Sequence, residues 1–92
     1  MAHTIRDKAK LLARVRRVRG QIEAVERALE AEKGCADVLQ LVVAARGAMN
    51  SLMAEIIEGH IRMHVVDPAR ERNGERARGA EELIDVVKAY LR

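Results

Sequence analysis

Two stretches of the chain carry the same apolar rhythm. Leu11, Val15, Val18, Ile22, Val25 and Leu29 follow one another at steps of 4, 3, 4, 3 and 4, and so do Val38, Val42, Ala45, Met49, Leu52 and Ile56. That is the stripe of a helical heptad and not the alternation of a strand. The first stretch predicts a helix over 5–32, with Thr4 as its cap and Asp7 favourably placed in its first turn. Lys33-Gly34 supplies a stop, with Gly34 expected as the left-handed cap residue. The second stretch predicts a helix over 35–65, ended by Asp67-Pro68 because the residue before proline avoids the helical region. The charged segment 67–79 reads as a loop with Asn73-Gly74 as its turn signal. A third helix is expected over 80–91, with Leu83, Ile84, Val87, Tyr90 and Leu91 on its apolar face. Met1, Ala2, His3 and Thr4 read as a short mobile arm.

Composition narrows this picture to one all-α domain spanning residues 1–92. Phe and Trp are absent and Tyr90 is the only aromatic, so burial must come from aliphatic side chains and Met. A chain this short cannot build a large private core, and helix-on-helix packing completed by self-association is the expected solution. Met49, Met53 and Met63 read as core or seam fillers. Glu23, Glu26, Glu30 and Glu32 read as a solvated helix face. Charged residues make up 34% of the chain, and no apolar run is long enough to span a bilayer. With no signal-peptide pattern and a single cysteine, the expected location is the reducing cytoplasm.

The net charge of +3 conceals an asymmetry. Arg6, Lys8, Lys10, Arg14, Arg16, Arg17 and Arg19 face a single acid, Asp7, in the first 19 residues, and the remainder is net acidic. Such a block is the electrostatic footprint of a nucleic-acid binder. No short recognition helix follows a tight turn, so contact with DNA would use a broad helical surface, with Arg46 as a further candidate from the second helix. No acid–base pair, nucleophile triad or phosphate loop is visible, which argues against an enzyme.

Candidate metal ligands sit at the two ends of the second helix. Cys35 opens it, and His60 and His64 close it as i,i+4 neighbours. A continuous helix would separate Cys35 from His60 by about 37 Å, so one chain cannot bring them to one metal. An antiparallel second copy can. The two-fold axis would then pass near Ala48, among Ala44, Ala45 and Gly47, small residues that permit close helix approach. Gly47 costs about 1 kcal/mol against Ala in a helix interior, which a close crossing would offset.

AHTIRDK, LLARVRRVRGQIEAVERALE, the Cys35-x3-Leu39-Gln40 step, AARGAMNSLM and the Gly59-His60-x3-His64 ending together resemble the CsoR/RcnR family of metal- or formaldehyde-sensing bacterial repressors over nearly the whole chain. The resemblance implies a three-helix protomer, an antiparallel four-helix-bundle dimer and a dimer-of-dimers tetramer. It implies that the apo protein holds operator DNA through the basic helical face, here Lys8, Lys10, Arg14, Arg16, Arg17, Arg19 and Arg46, and that the inducer releases it. The nickel/cobalt branch uses the positions of His3, Cys35, His60 and His64, all present here. One thiolate with several imidazoles suits Ni(II) or Co(II), and also Zn(II). The resemblance to the formaldehyde branch offers an alternative, an adduct between the amine of Ala2 and Cys35, although that branch carries Pro where this chain has Ala2. A helical interaction module without a ligand is the reading from a different class.

Overall fold

The computed structural model describes residues 3–91, whose regular elements are all helices, with no strand among them. Helix α1 (His3–Arg6) runs through a turn at Asp7 into α2 (Lys8–Glu30). Helix α3 (Cys35–His60) continues as a π-turn over Ile61–Val65, and α4 (Gly74–Tyr90) closes the chain. The all-α expectation holds, and the long antiparallel α2/α3 pair is its frame.

Four local features differ from the sequence reading. His3 and Thr4 are helical and not part of a mobile arm, and the first helix begins before Thr4 could cap it. The Asp7 amide donates to the His3 carbonyl and the Leu11 amide to the Asp7 carbonyl, so α1 and α2 form one rod with a bend. Gly34 is not left-handed. That conformation falls on Glu32, with φ 55°, while Gly34 is extended and precedes α3. Lys33 donates its amide to Ala28 O at 3.0 Å and Glu32 to Leu29 O at 3.1 Å, the paired bonds of a Schellman ending. A side chain in that conformation costs about 1 kcal/mol that glycine would not. Glu32→Gly should therefore stabilise the fold by roughly 0.5–1 kcal/mol, read as a raised midpoint in urea.

The third helix begins at Gly74 and not at Ala80, so much of the expected charged loop is helical. Asn73 is its cap and not part of a turn: Oδ1 accepts from the amides of Glu75 (3.0 Å) and Arg76 (3.2 Å). The second long helix ends where Asp67-Pro68 predicts, but its last turn is widened, with the Val66 amide reaching Ile61 O at 2.8 Å.

The molecule is a slab, 57 × 25 × 12 Å between Cα extremes, about one helix thick. A single layer cannot enclose a core, and the heptad stripes divide accordingly. Val18 and Ala45 are buried between α2 and α3, whereas Val15, Ile22 and Leu29 of α2 and Val42, Met49 and Ile56 of α3 stay exposed, Leu29 by 60%. These exposed residues recur every seven positions, so each set keeps to one face of its helix. Helix α4 lies against the far end of α3, where Ile84 is 1% exposed and Ala80 is buried beside it. Leu83 and Tyr90, expected on the apolar face of this helix, are exposed.

Candidate metal centre and nucleic-acid interface

The bend at Asp7 lays α1 across the end of α3, and this brings His3 to the two histidines of that end. His3 is 5% exposed although it lies at the beginning of the chain. Its ring centroid is 6.0 Å from that of His60 and 5.8 Å from that of His64, and those two are 5.0 Å apart. One nitrogen from each imidazole lies within 4.8 Å of the others. Nitrogen ligands stand about 2.0–2.1 Å from a first-row metal, so this group can close on an ion with small side-chain rotations. The widened π-turn carries His64 relative to His60, a device that recurs at functional sites.

Gly59 makes the seat for His3. A Cβ built on it would stand 2.5 Å from His3 Nδ1 and 3.2 Å from two ring carbons. The histidine ring thus occupies the place where any other residue would carry its side chain. In the sequence Gly59 stands only as part of the Gly59-His60-x3-His64 motif, and no local signal identifies its partner.

Cys35 is not with these histidines. It is an exposed free thiol in the first turn of α3, at the opposite end of a helix about 37 Å long. A single chain brings together His3, His60 and His64 and leaves Cys35 apart. Ala2, the other residue of the formaldehyde alternative, lies outside the described residues.

Beneath the histidines, ion pairs tie α4 to α3. Glu58 pairs with Lys88 at 2.6 Å and Arg62 at 3.9 Å, and Arg62 reaches Glu81 at 3.6 Å. The bond to Glu58 holds the Lys88 ammonium above its ordinary pKa of 10.5. Its contribution is thus full below that value and fades only as the solution becomes more alkaline.

The basic residues of α2 fall into two groups. Lys8, Arg16, Arg17 and, on α3, Arg46 are exposed and form no ion pair with another described residue. Lys10 and Arg14 are held by α3. Lys10 Nζ lies 3.1 Å from Glu55 Oε2, Arg14 Nη2 lies 3.1 Å from Glu55 Oε1, and Arg14 Nη1 donates to the Ser51 hydroxyl. Arg19 has a loose contact with Glu23 at 3.8 Å. Glu55 and Ser51 were not singled out by the sequence reading, because their partners lie some forty residues away.

Residues 7–89 match the family described as metal-sensitive transcriptional repressor. The chain is 44% identical over 95 residues to the transcriptional repressor RcnR of Salmonella arizonae, covering the whole of both. It is 49% identical over 92 residues, again the whole of both, to an uncharacterized protein in the bioA 5' region of Serratia marcescens. Among the described residues, no helix is long and apolar enough to cross a membrane. The chain therefore belongs to the CsoR/RcnR family of metal-sensitive transcriptional repressors, metal-responsive DNA-binding regulators and not enzymes.

Proposed function

We propose that this protein is a nickel- or cobalt-responsive repressor that holds operator DNA when free of metal and lets go when metal binds. The observation that carries the reading is the gathering of His3, His60 and His64 by one chain, with the single thiol at the far end of the same helix. Three borderline imidazole donors suit Ni(II), Co(II) or Zn(II), and a thiolate added from a second copy keeps that preference while leaving too little sulfur for copper(I).

The second copy is supplied by the exposed heptad face. Val15, Ile22, Leu29, Val42, Met49 and Ile56 form the surface on which an antiparallel partner packs, giving a four-helix bundle. The axis lies near Ala48 and brings Cys35 of one copy to the histidines of the other. Pairs of such dimers form the tetramer. Lys8, Arg16, Arg17 and Arg46 offer their charges to phosphate, with Lys10, Arg14 and Arg19 as further cations of α2. His3 ties the site to the beginning of the basic helix, because α1 continues into α2. Metal at the histidines and DNA at the basic face are then coupled, typically by about 1–3 kcal/mol, and release of DNA permits expression of an exporter or similar detoxification gene.

A labelled duplex selected by the metal-free protein provides the test. Fluorescence anisotropy should fall on adding Ni(II) or Co(II) and hold steady with formaldehyde. Cobalt should also produce a near-ultraviolet thiolate charge-transfer band that vanishes in Cys35→Ala. Release by formaldehyde alone would favour the formaldehyde-responsive alternative, an adduct between the amine of Ala2 and Cys35, in place of metal. Release by neither would leave a helical interaction module.

A further inference from the structure

Glu55 stands on the metal-bearing helix, five residues before His60, yet both its carboxylate oxygens are directed at the basic helix. Oε2 holds Lys10 and Oε1 holds Arg14, each at 3.1 Å. Arg14 is committed further. Its Nη1 is bonded to Ser51, and its Nε is enclosed without a partner. A guanidinium held in this way has little left to offer a phosphate, whereas Arg16 and Arg17 on the same helix are exposed. Two carboxylate oxygens facing an ammonium and a guanidinium reproduce what a DNA phosphate would present to them.

We infer that Glu55 is an internal competitor of DNA phosphate for Lys10 and Arg14, a positioning residue that lowers operator affinity by withholding two of the cations on the DNA-facing helix. The inference rests on the reading of α2 as the DNA-facing surface. Full engagement of both residues requires the operator phosphates to displace the Glu55 carboxylate. Each cation transferred to DNA releases counterions and steepens the dependence of binding on salt.

The test compares metal-free variants on the same labelled duplex at about 0.15 M salt. Glu55→Gln keeps the side-chain shape and can still accept from Arg14, so the helix pair remains folded, as circular dichroism would verify. It should bind roughly three- to thirtyfold tighter than wild type, with a log–log salt slope steeper by about 0.9 for each cation freed. Glu55→Asp keeps the charge but shortens the reach, and should move affinity in the same direction by less. Glu30→Gln, which alters net charge equally at the other end of α2, should give no comparable gain. Adding Lys10→Ala and Arg14→Ala should erase the benefit of Glu55→Gln. Unchanged or weaker binding by Glu55→Gln would overturn the proposal, as would a gain shared by Glu30→Gln or one that survives loss of both cations. Failure of the DNA-face reading looks different, since Arg16→Ala with Arg17→Ala would then leave duplex binding intact. Failure of the metal reading is separate again, because none of these comparisons contains metal.

Discussion

His60→Ala is expected to weaken nickel and cobalt binding by more than about 100-fold while leaving the fold almost unchanged. Loss of a residue that merely orients a metal ligand costs 10–100-fold, and His60 would be a ligand itself. It lies 5.0 Å from His64 and 6.0 Å from His3 between ring centroids. It is also exposed, so its truncation opens no cavity and should change stability by no more than about 0.5 kcal/mol. Cys35→Ala makes the informative contrast. Three imidazoles meet without the thiol, so that variant should keep measurable cobalt binding while losing the charge-transfer band and part of the affinity. Isothermal titration with both variants decides the matter. Wild-type affinity in His60→Ala would mean that the histidines are gathered for packing alone.

Gly59→Ala should separate metal binding from stability in opposite directions. A methyl group at this position would lie 2.5 Å from His3 Nδ1, nearer than atoms can approach, so the imidazole must leave its seat. The same substitution removes a glycine from a helix interior, worth up to about 1 kcal/mol in favour of the folded state. The expected result is a thermal midpoint equal to or above wild type, with metal affinity reduced roughly 10- to 100-fold. His3→Ala should weaken metal binding similarly without the gain in stability, and combining the two should cost little more than either alone. Unaltered affinity in Gly59→Ala would show that His3 takes no part in holding metal.

Both results turn on contacts of a kind that periodicity does not report. The heptad stripes specified two long helices, because side-chain spacing along a helix is a local property of the backbone. The same stripes could not say which half of each would be covered. Val18 and Ala45 face inward while Ile22 and Met49 remain outside, a division set by a slab one helix thick. The charge of segment 67–79 and its Asn73-Gly74 turn signal point to a loop. Its residues from Gly74 onward are nevertheless helical, since Asn73 caps them and Ala80 and Ile84 anchor the helix on α3. Residue type points to Gly34 for the left-handed position, but the geometry of the turn places it at Glu32.

By itself the sequence determined that the chain is all-helical, that it carries its positive charge on the first long helix, and that Cys35 and His60 cannot meet within one chain. Each of these follows from spacing or composition, and a helix rises by a constant amount per residue. The tertiary structure alone decided that His3 is buried on Gly59 beside His60 and His64, and that Glu55 holds Lys10 and Arg14. Those contacts join residues about forty or more positions apart, and they depend on how α1 bends across the end of α3 and how α2 lies along it. Such placements are set by packing between helices, and no local pattern in the chain encodes them.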